Sequence, residues 1–177
     1  MDLLGPLGPM GDPAQREQEE VAWATRAAGD TSAIAALIDL VRNPVTADER
    51  GRVSNEALQA QLVHILALVG VRAPETVLER VGLLTNEKGA RPTAIEVLGA
   101  IGDPAGLRWL APLVDARDLS EDEAAWLASA LGDIEDPEAK PLLERLRSQT
   151  LPERAAVLRE IQIALDSIAR RADSPTR

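Results

Sequence analysis

The sequence contains no cysteine and a single histidine, His64. Without cysteine, the chain forms no disulfide, no zinc–thiolate site and no cysteine nucleophile, and one histidine excludes a metal site built from several histidines. The sequence also lacks a phosphate-binding loop, a dinucleotide fingerprint, a nucleophile elbow and the kinase motifs. We therefore predict a protein that is not an enzyme, with no catalytic residue, no cofactor and no metal.

Aromatic residues are scarce, because there is no Phe and no Tyr and the three tryptophans make up 2% of the chain. The hydrophobic residues, 45% of the total, are therefore mostly Leu, Ile, Val and Ala. Alanine and leucine are strong helix formers, whereas strands favour aromatic and β-branched residues. The composition predicts an all-α fold, and 177 residues suit one domain.

Basic residues are outnumbered, since 19 Lys and Arg face 29 Asp and Glu and the net charge is −10. Nucleic acids and anionic membranes are bound by basic surfaces, so we expect neither as a partner. No apolar run reaches the roughly 18 residues that a membrane span needs. Residues 1–13 lack the basic start of a signal peptide. We expect a cytoplasmic protein that binds another protein, with a basic partner as one alternative.

Four glycines mark an internal repeat: Gly29, Gly70, Gly102 and Gly132. The last three are separated by 32 and 30 residues, and the first gap is 41 residues. A glycine just past a helix end adopts a left-handed turn at low cost, and a following Asp or Thr can cap the next helix. The repeated glycine therefore predicts a hinge between two helices in each unit.

The apolar periodicity predicts nine helices, over residues 13–28, 32–42, 48–69, 74–85, 91–101, 104–115, 121–132, 137–148 and 152–171. The first eight form four pairs, each with a first helix (A) and a second helix (B). Ser120 with Glu123, and Thr150 with Glu153, are typical of capping boxes. The last helix is predicted to cap the array with an apolar face of Val157, Leu158, Ile161, Leu165 and Ile168.

One position of the A helices is shared by all four units. Six residues before each marker glycine stand Trp23, His64, Glu96 and Trp126. We expect Trp23 and Trp126 to pack in the core or between units, and His64 to be a semi-buried wedge in the same position. The alternative for His64 is a general base or a pH switch.

Two segments, "AAWLASALGD" (124–133) and "AIEVLGAIGDP" (94–104), resemble the bacterial HEAT-like repeat, also called the phycobilisome-lyase-type repeat. The resemblance covers roughly residues 20–148. The unit at 48–85 departs from it, because Val71, Arg72 and Ala73 replace the Asp-Pro turn. The resemblance implies a right-handed α-solenoid of about four helical hairpins plus a C-terminal capping helix. The domain would cover 13–172, between a flexible tail (1–12) and a disordered tail (173–177).

Most members of this family serve in protein–protein interaction, so the resemblance implies an adaptor, scaffold or regulatory subunit. Chromophore lyases or isomerases and a DNA glycosylase group are the enzymatic minority. An immunity-type inhibitor or obligate subunit that covers a basic partner is a further alternative. The terminal helix "REIQIALDSI" leaves both a monomer and a homodimer open.

In the family, the B helices line the inner surface, where a partner protein would bind. The residues of this sequence expected there are Asp39, Glu79, Arg80, Arg108, Trp109, Lys140, Glu144 and Arg147. Trp109 is predicted to be a partly exposed binding hot spot, unless it covers a neighbouring helix. The acidic stretch 115–138 is either a docking patch for a basic partner or a consequence of helix N-termini, which favour acids.

Overall fold

The computed structural model describes residues 13–43, 55–134 and 136–172. Within these ranges the regular secondary structure is entirely helical, with no strand, which confirms the all-α part of the predicted fold. The predicted tails 1–12 and 173–177 lie outside the described residues, and so does the predicted start of a helix at residue 48. No helix in the described part is both long and apolar enough to cross a membrane.

The helices follow the predicted order closely. Their bounds are α1 (Pro13–Ala28), α2 (Thr31–Arg42), α3 (Asn55–Gly70), α4 (Pro74–Leu84), α5 (Arg91–Ile101), α6 (Leu107–Leu110), α7 (Glu121–Asp133), α8 (Ala139–Gln149) and α9 (Ala155–Ala172). The sixth predicted helix, over 104–115, is wrong as a single helix, because 3-10 turns at Pro104–Gly106 and Ala111–Asp115 flank the short α6. Pro112 accounts for the second break, since it cannot donate to the carbonyl of Arg108 and its ring clashes there.

The helices form two layers. In the first, called the A layer, α1, α3, α5, α7 and α9 contact one another in succession. In the second, the B layer, α2, α4, the third B segment (104–115) and α8 follow in the same order. The terminal helix α9 packs mainly on α7, so it takes the place of a further A helix. Val157 and Ile161 are buried there, while Arg159 on the opposite face is exposed, as expected for a capping helix.

Small residues set the distance between neighbouring A helices. A Cβ atom added to Gly99 of α5 would lie 2.6 Å from Cα of Ala130 in α7, and one added to Gly132 would lie 2.6 Å from Cβ of Ala164 in α9. Gly70 of α3 meets Ile101 of α5 in the same way. The partners are 31, 31 and 32 residues apart (130−99, 101−70 and 164−132). The repeat spacing of the sequence is therefore also the stacking register of the A layer.

The predicted glycine hinges are found at helix ends, but within the described residues only Gly102 has the left-handed backbone. Gly102 adopts a φ of 70° after α5, and Oδ1 of Asp103 accepts a hydrogen bond from the Ala105 amide at 2.8 Å. Asp30, after Gly29, caps α2 through the amides of Ser32 and Ala33. Gly70, in contrast, is the last residue of α3, and Gly132 is the next-to-last residue of α7. Their lack of a side chain permits close helix contact instead of a turn.

The connection after α7 lies within two residues of the predicted one, but its capping residue is Asp136 and not Asp133, which directly follows Gly132. Oδ1 of Asp136 accepts a hydrogen bond from the Glu138 amide at 2.7 Å, just before α8. The capping box of Ser120 and Glu123 at the start of α7 is confirmed in both directions. The box predicted at Thr150–Glu153 is wrong, because α9 begins only at Ala155 and Arg154 occupies the capping position.

Candidate functional site

The predicted inner-surface residues all lie on the B layer. Asp39 belongs to α2, Glu79 and Arg80 to α4, Arg108 and Trp109 to α6, and Lys140, Glu144 and Arg147 to α8. All are exposed except the half-buried Trp109. The structure thus distributes them over successive B segments and brings one pair, Arg108 and Trp109, into direct contact. Their role in binding a partner stays a prediction.

Trp109 lies against the preceding B helix. Its ring stands where a Cβ atom of Gly82 would otherwise be, so α4 leaves room for the indole by having a glycine. The Arg108 guanidinium lies 5.1 Å from the centre of the same ring, within the range of a cation–π contact. The indole Nε1 is buried and has no hydrogen-bond partner within the described residues. Trp109 therefore covers part of α4 but stays only half-buried, and its role as a binding hot spot remains a prediction.

The shared A-helix position makes contacts between units. Trp23 and Trp126 are half-buried against the core, which agrees with their predicted role. Glu96 accepts a hydrogen bond from Gln59 of the preceding A helix at 3.1 Å. The expectation that His64 is semi-buried is wrong, because its side chain is 56% exposed and its Nε2 lies 3.2 Å from Oε2 of Glu20 in α1.

Four of the nine acidic residues in the stretch 115–138 make defined contacts within the chain. Asp115 pairs with Arg145 at 2.7 Å, and Asp118 pairs with Lys88 at 3.2 Å. Glu123 and Asp136 serve as caps. Among the described residues, no group of three or more His, Cys, Asp or Glu is placed to hold a metal ion. Glu135 lies outside the described residues, so the acidic docking patch stays a prediction.

A buried arginine organises the junction between α5 and α7. Nε of Arg91 donates to the Thr85 carbonyl at 2.9 Å, and its NH1 lies 3.4 Å from Asp118 and 3.8 Å from Glu123. The side chain of Arg91 is only 8% exposed. These groups border a pocket of about 350 Å³ whose apolar wall includes Trp126. Because its guanidinium contacts Thr85, Asp118 and Glu123, Arg91 holds three segments of the chain together.

The pKa of Asp118 is held below its ordinary value, first by the hydrogen bond from Lys88 and further by Arg91. A carboxyl group whose pKa is lower in the folded state than in the unfolded state stabilises the fold at pH values above the unfolded-state pKa. This stabilisation disappears as the pH falls through the folded-state pKa. We predict that Asp118→Asn is less stable than the natural chain at neutral pH and that the difference vanishes in acid below the lowered pKa. Urea unfolding at several pH values measures both.

Asp133 provides the matched contrast to Asp118. It keeps an exposed surface at the end of α7, yet partial burial of its carboxyl raises its pKa, with Arg171 opposing the rise. A raised pKa disfavours the fold when the group is ionised, so Asp133→Asn should not destabilise the protein at neutral pH. A stability loss in both variants, or a loss in Asp118→Asn that persists in strong acid, would contradict the electrostatic explanation.

Sequence reasoning did not identify a second pocket, which lies where the third B segment and α8 end. It encloses about 590 Å³ and is bordered by Arg117, Leu151 and Arg154. The pocket is built from the two loops that lead into α7 and α9, so no helical periodicity points to it. One sequence signal was available: Arg154 falls in the first turn of the helix predicted over 152–171, where a cation is disfavoured.

Residues 124–148 match the family model described as PBS lyase HEAT-like repeat. This range contains most of α7, the hinge at Asp136 and nearly all of α8, which is one A helix followed by one B helix. The match supports a HEAT-like repeat family, as the resemblance predicted. No curated protein and no solved structure gave a significant match to the chain.

Proposed function

The chain carries a HEAT-like repeat at residues 124–148, and from this premise we propose that it is a non-enzymatic protein-interaction module. It would act as an adaptor, scaffold or regulatory subunit in the cytoplasm, as a monomer or homodimer. We further propose that the array is a right-handed solenoid of four hairpins with α9 as its cap. The B segments would line the surface that binds the partner.

One observation supports this proposal most: exposed charged side chains recur on successive B segments. Arg80 on α4, Arg108 on α6 and Lys140 on α8 are all exposed, and the regular register of the A layer holds these segments in order. Stacked repeats of this kind create extended binding surfaces, because each unit adds the same face to its neighbour's. Charge on such a face contributes more to specificity and association rate than to affinity.

Two alternatives belong to other classes of function. An immunity-type inhibitor or obligate subunit would cover a basic partner, which the net charge of −10 favours. A lyase or isomerase of the chromophore type shares the repeat family, but repeat architecture alone does not determine activity. The identity of the captured partner distinguishes an immunity-type inhibitor or obligate subunit from a general adaptor. An absorbance change on mixing with a bilin would identify a chromophore lyase or isomerase.

The proposal is tested by capturing partners from the native cell after light crosslinking, followed by mass spectrometry. The Arg80→Glu/Lys140→Glu double variant reverses two exposed B-layer charges whose side chains make no hydrogen bond or ion pair within the described residues. The matched control is Arg159→Glu, an exposed arginine on the outer face of α9. We expect a stoichiometric protein partner that the double variant loses by about tenfold or more and the control retains. A partner retained equally by both variants would refute B-layer binding, and a preparation carrying only a pigment would refute the interaction module.

A further inference from the structure

The 590 Å³ pocket between the last two units has an apolar floor. Val114, Leu119, Ala124 and Leu146 line it, and each is at most 6% exposed. Leu151, on the rim, is 64% exposed. This volume lies within the range of about 300–1,000 Å³ that is usual for ligand pockets, which combine apolar walls with a few polar groups. The floor can therefore receive apolar side chains, and Leu151 can cover them.

The free charge of this pocket is positive, although the protein as a whole is acidic. Asp115, the acidic residue of the lining, is engaged by Arg145 at 2.7 Å and by Gln149 at 3.0 Å. The side chains of Arg117 and Arg154 also line the pocket. Neither guanidinium has a hydrogen bond or ion pair to any residue that the structure describes. Two arginines that have no partner among the described residues, above an apolar floor, are suited to a carboxylate, which a guanidinium binds with two parallel hydrogen bonds.

Helix stability does not explain the position of Arg154. The carbonyl of Arg154 accepts a hydrogen bond from the Leu158 amide at 3.1 Å, so the residue stands at the N-terminus of α9. The helix dipole disfavours a cation at that end and favours one at the other end, where α9 has Arg170 and Arg171. An anionic ligand would offset this unfavourable interaction.

We propose that this pocket, called here the Arg117–Arg154 pocket, docks a segment of a partner protein in which a carboxylate side chain stands beside leucine-like side chains. The carboxylate would bind Arg117 and Arg154, and the apolar side chains would lie on Val114, Leu119 and Leu146. The proposal rests on the proposed function, because it requires a partner protein. Its surface is separate from the exposed charges at Arg80 and Lys140, so the two proposals can fail independently.

The test uses the full-length, isotope-labelled protein and the tripeptide acetyl-Leu-Glu-Leu-amide, followed by two-dimensional amide NMR. We expect saturable shifts of the Arg117, Leu119, Leu151 and Arg154 amides. Acetyl-Leu-Gln-Leu-amide, which lacks the charge, should bind about tenfold more weakly or worse. The Arg117→Gln/Arg154→Gln variant should lose binding of the glutamate peptide to a similar extent, while Arg159→Gln should retain it.

Each other outcome overturns the proposal. Absence of shifts at millimolar peptide, equal binding of the glutamine peptide, or retention of binding by the Arg117→Gln/Arg154→Gln variant would exclude a carboxylate-binding pocket. Octanoate that binds as tightly, with the same dependence on both arginines, would assign the pocket to a small amphipathic anion instead of a protein segment. An unchanged spectrum of the free variant outside the pocket shows that it is folded. If the peptide does not bind to the pocket, the result of the partner-capture experiment with Arg80→Glu/Lys140→Glu is unaffected.

Discussion

Replacing Gly99 with alanine should lower the free energy of unfolding by about 2 kcal/mol, because the site is overpacked once a methyl group is added. The new Cβ would lie 2.6 Å from Cα and 2.7 Å from Cβ of Ala130. Since Cα belongs to the backbone of α7, the two helices must move apart. Elsewhere in a helix the same change stabilises by about 1 kcal/mol, so the sign of the effect is diagnostic. Urea unfolding at neutral pH measures it.

Gly89→Ala is the matched control for this prediction. A Cβ atom at Gly89 would meet nothing within 4 Å, and its backbone is not in the left-handed region. Alanine there should leave stability unchanged or raise it by about 0.5 kcal/mol, because it restricts the unfolded chain. If Gly99→Ala were as stable as Gly89→Ala, α5 and α7 would not approach each other as closely as described.

Replacing Arg91 with methionine should cost about 3 kcal/mol of stability, because the buried cation is lost and the groups that it contacts lose a partner. Methionine preserves much of the packing volume but donates no hydrogen bond. The Thr85 carbonyl would lose its bond of 2.9 Å, and the largely buried carboxylate of Glu123 would lose its nearest cation at 3.8 Å. Thermal and urea unfolding measure the loss.

Lys88→Met separates burial from charge in this cluster. Lys88 and Arg91 both contact Asp118, at 3.2 and 3.4 Å, but the side chain of Lys88 is 77% exposed and that of Arg91 is 8% exposed. Exposed ion pairs contribute at most about 1 kcal/mol, so Lys88→Met should have a far smaller effect. Equal losses in the two variants would mean that the Asp118 contact, and not the buried junction, provides the stability.

The sequence predicted the helices and their order well because periodicity and capping are local properties. Ser120 and Glu123 are three residues apart, and their capping box follows from that spacing alone. The structural role of Gly70 and Gly132 could not be predicted from such local patterns. A glycine that ends a helix and a glycine that admits a neighbouring helix look alike in the sequence, and only the position of Ile101 or Ala164 distinguishes them.

For the candidate site, too, the sequence predicted the features that depend on one helix and not those that depend on the packing of several. The register of the B helices placed Arg80, Arg108 and Lys140 on one layer, because each follows from the position of buried leucines on its own helix. The Arg117–Arg154 pocket joins loops from two units, so its formation depends on how those units stack. Similarly, the exposure of His64 depends on which side of the A layer faces solvent, and a histidine in a tryptophan position gives no information about that.

The central claim is that the B layer binds a partner protein, and amide hydrogen exchange of the chain, free and bound to its captured partner, tests it most directly. We predict slower exchange in the bound chain over Pro74–Leu84 and Ala139–Gln149, the two B helices that carry Arg80 and Lys140. Slower amide exchange in the loops 116–120 and 150–154 would indicate, as a separate result, that the Arg117–Arg154 pocket is occupied. Protection confined to Arg91–Ile101 and Glu121–Asp133 in the A layer, with the B helices unchanged, would contradict the account.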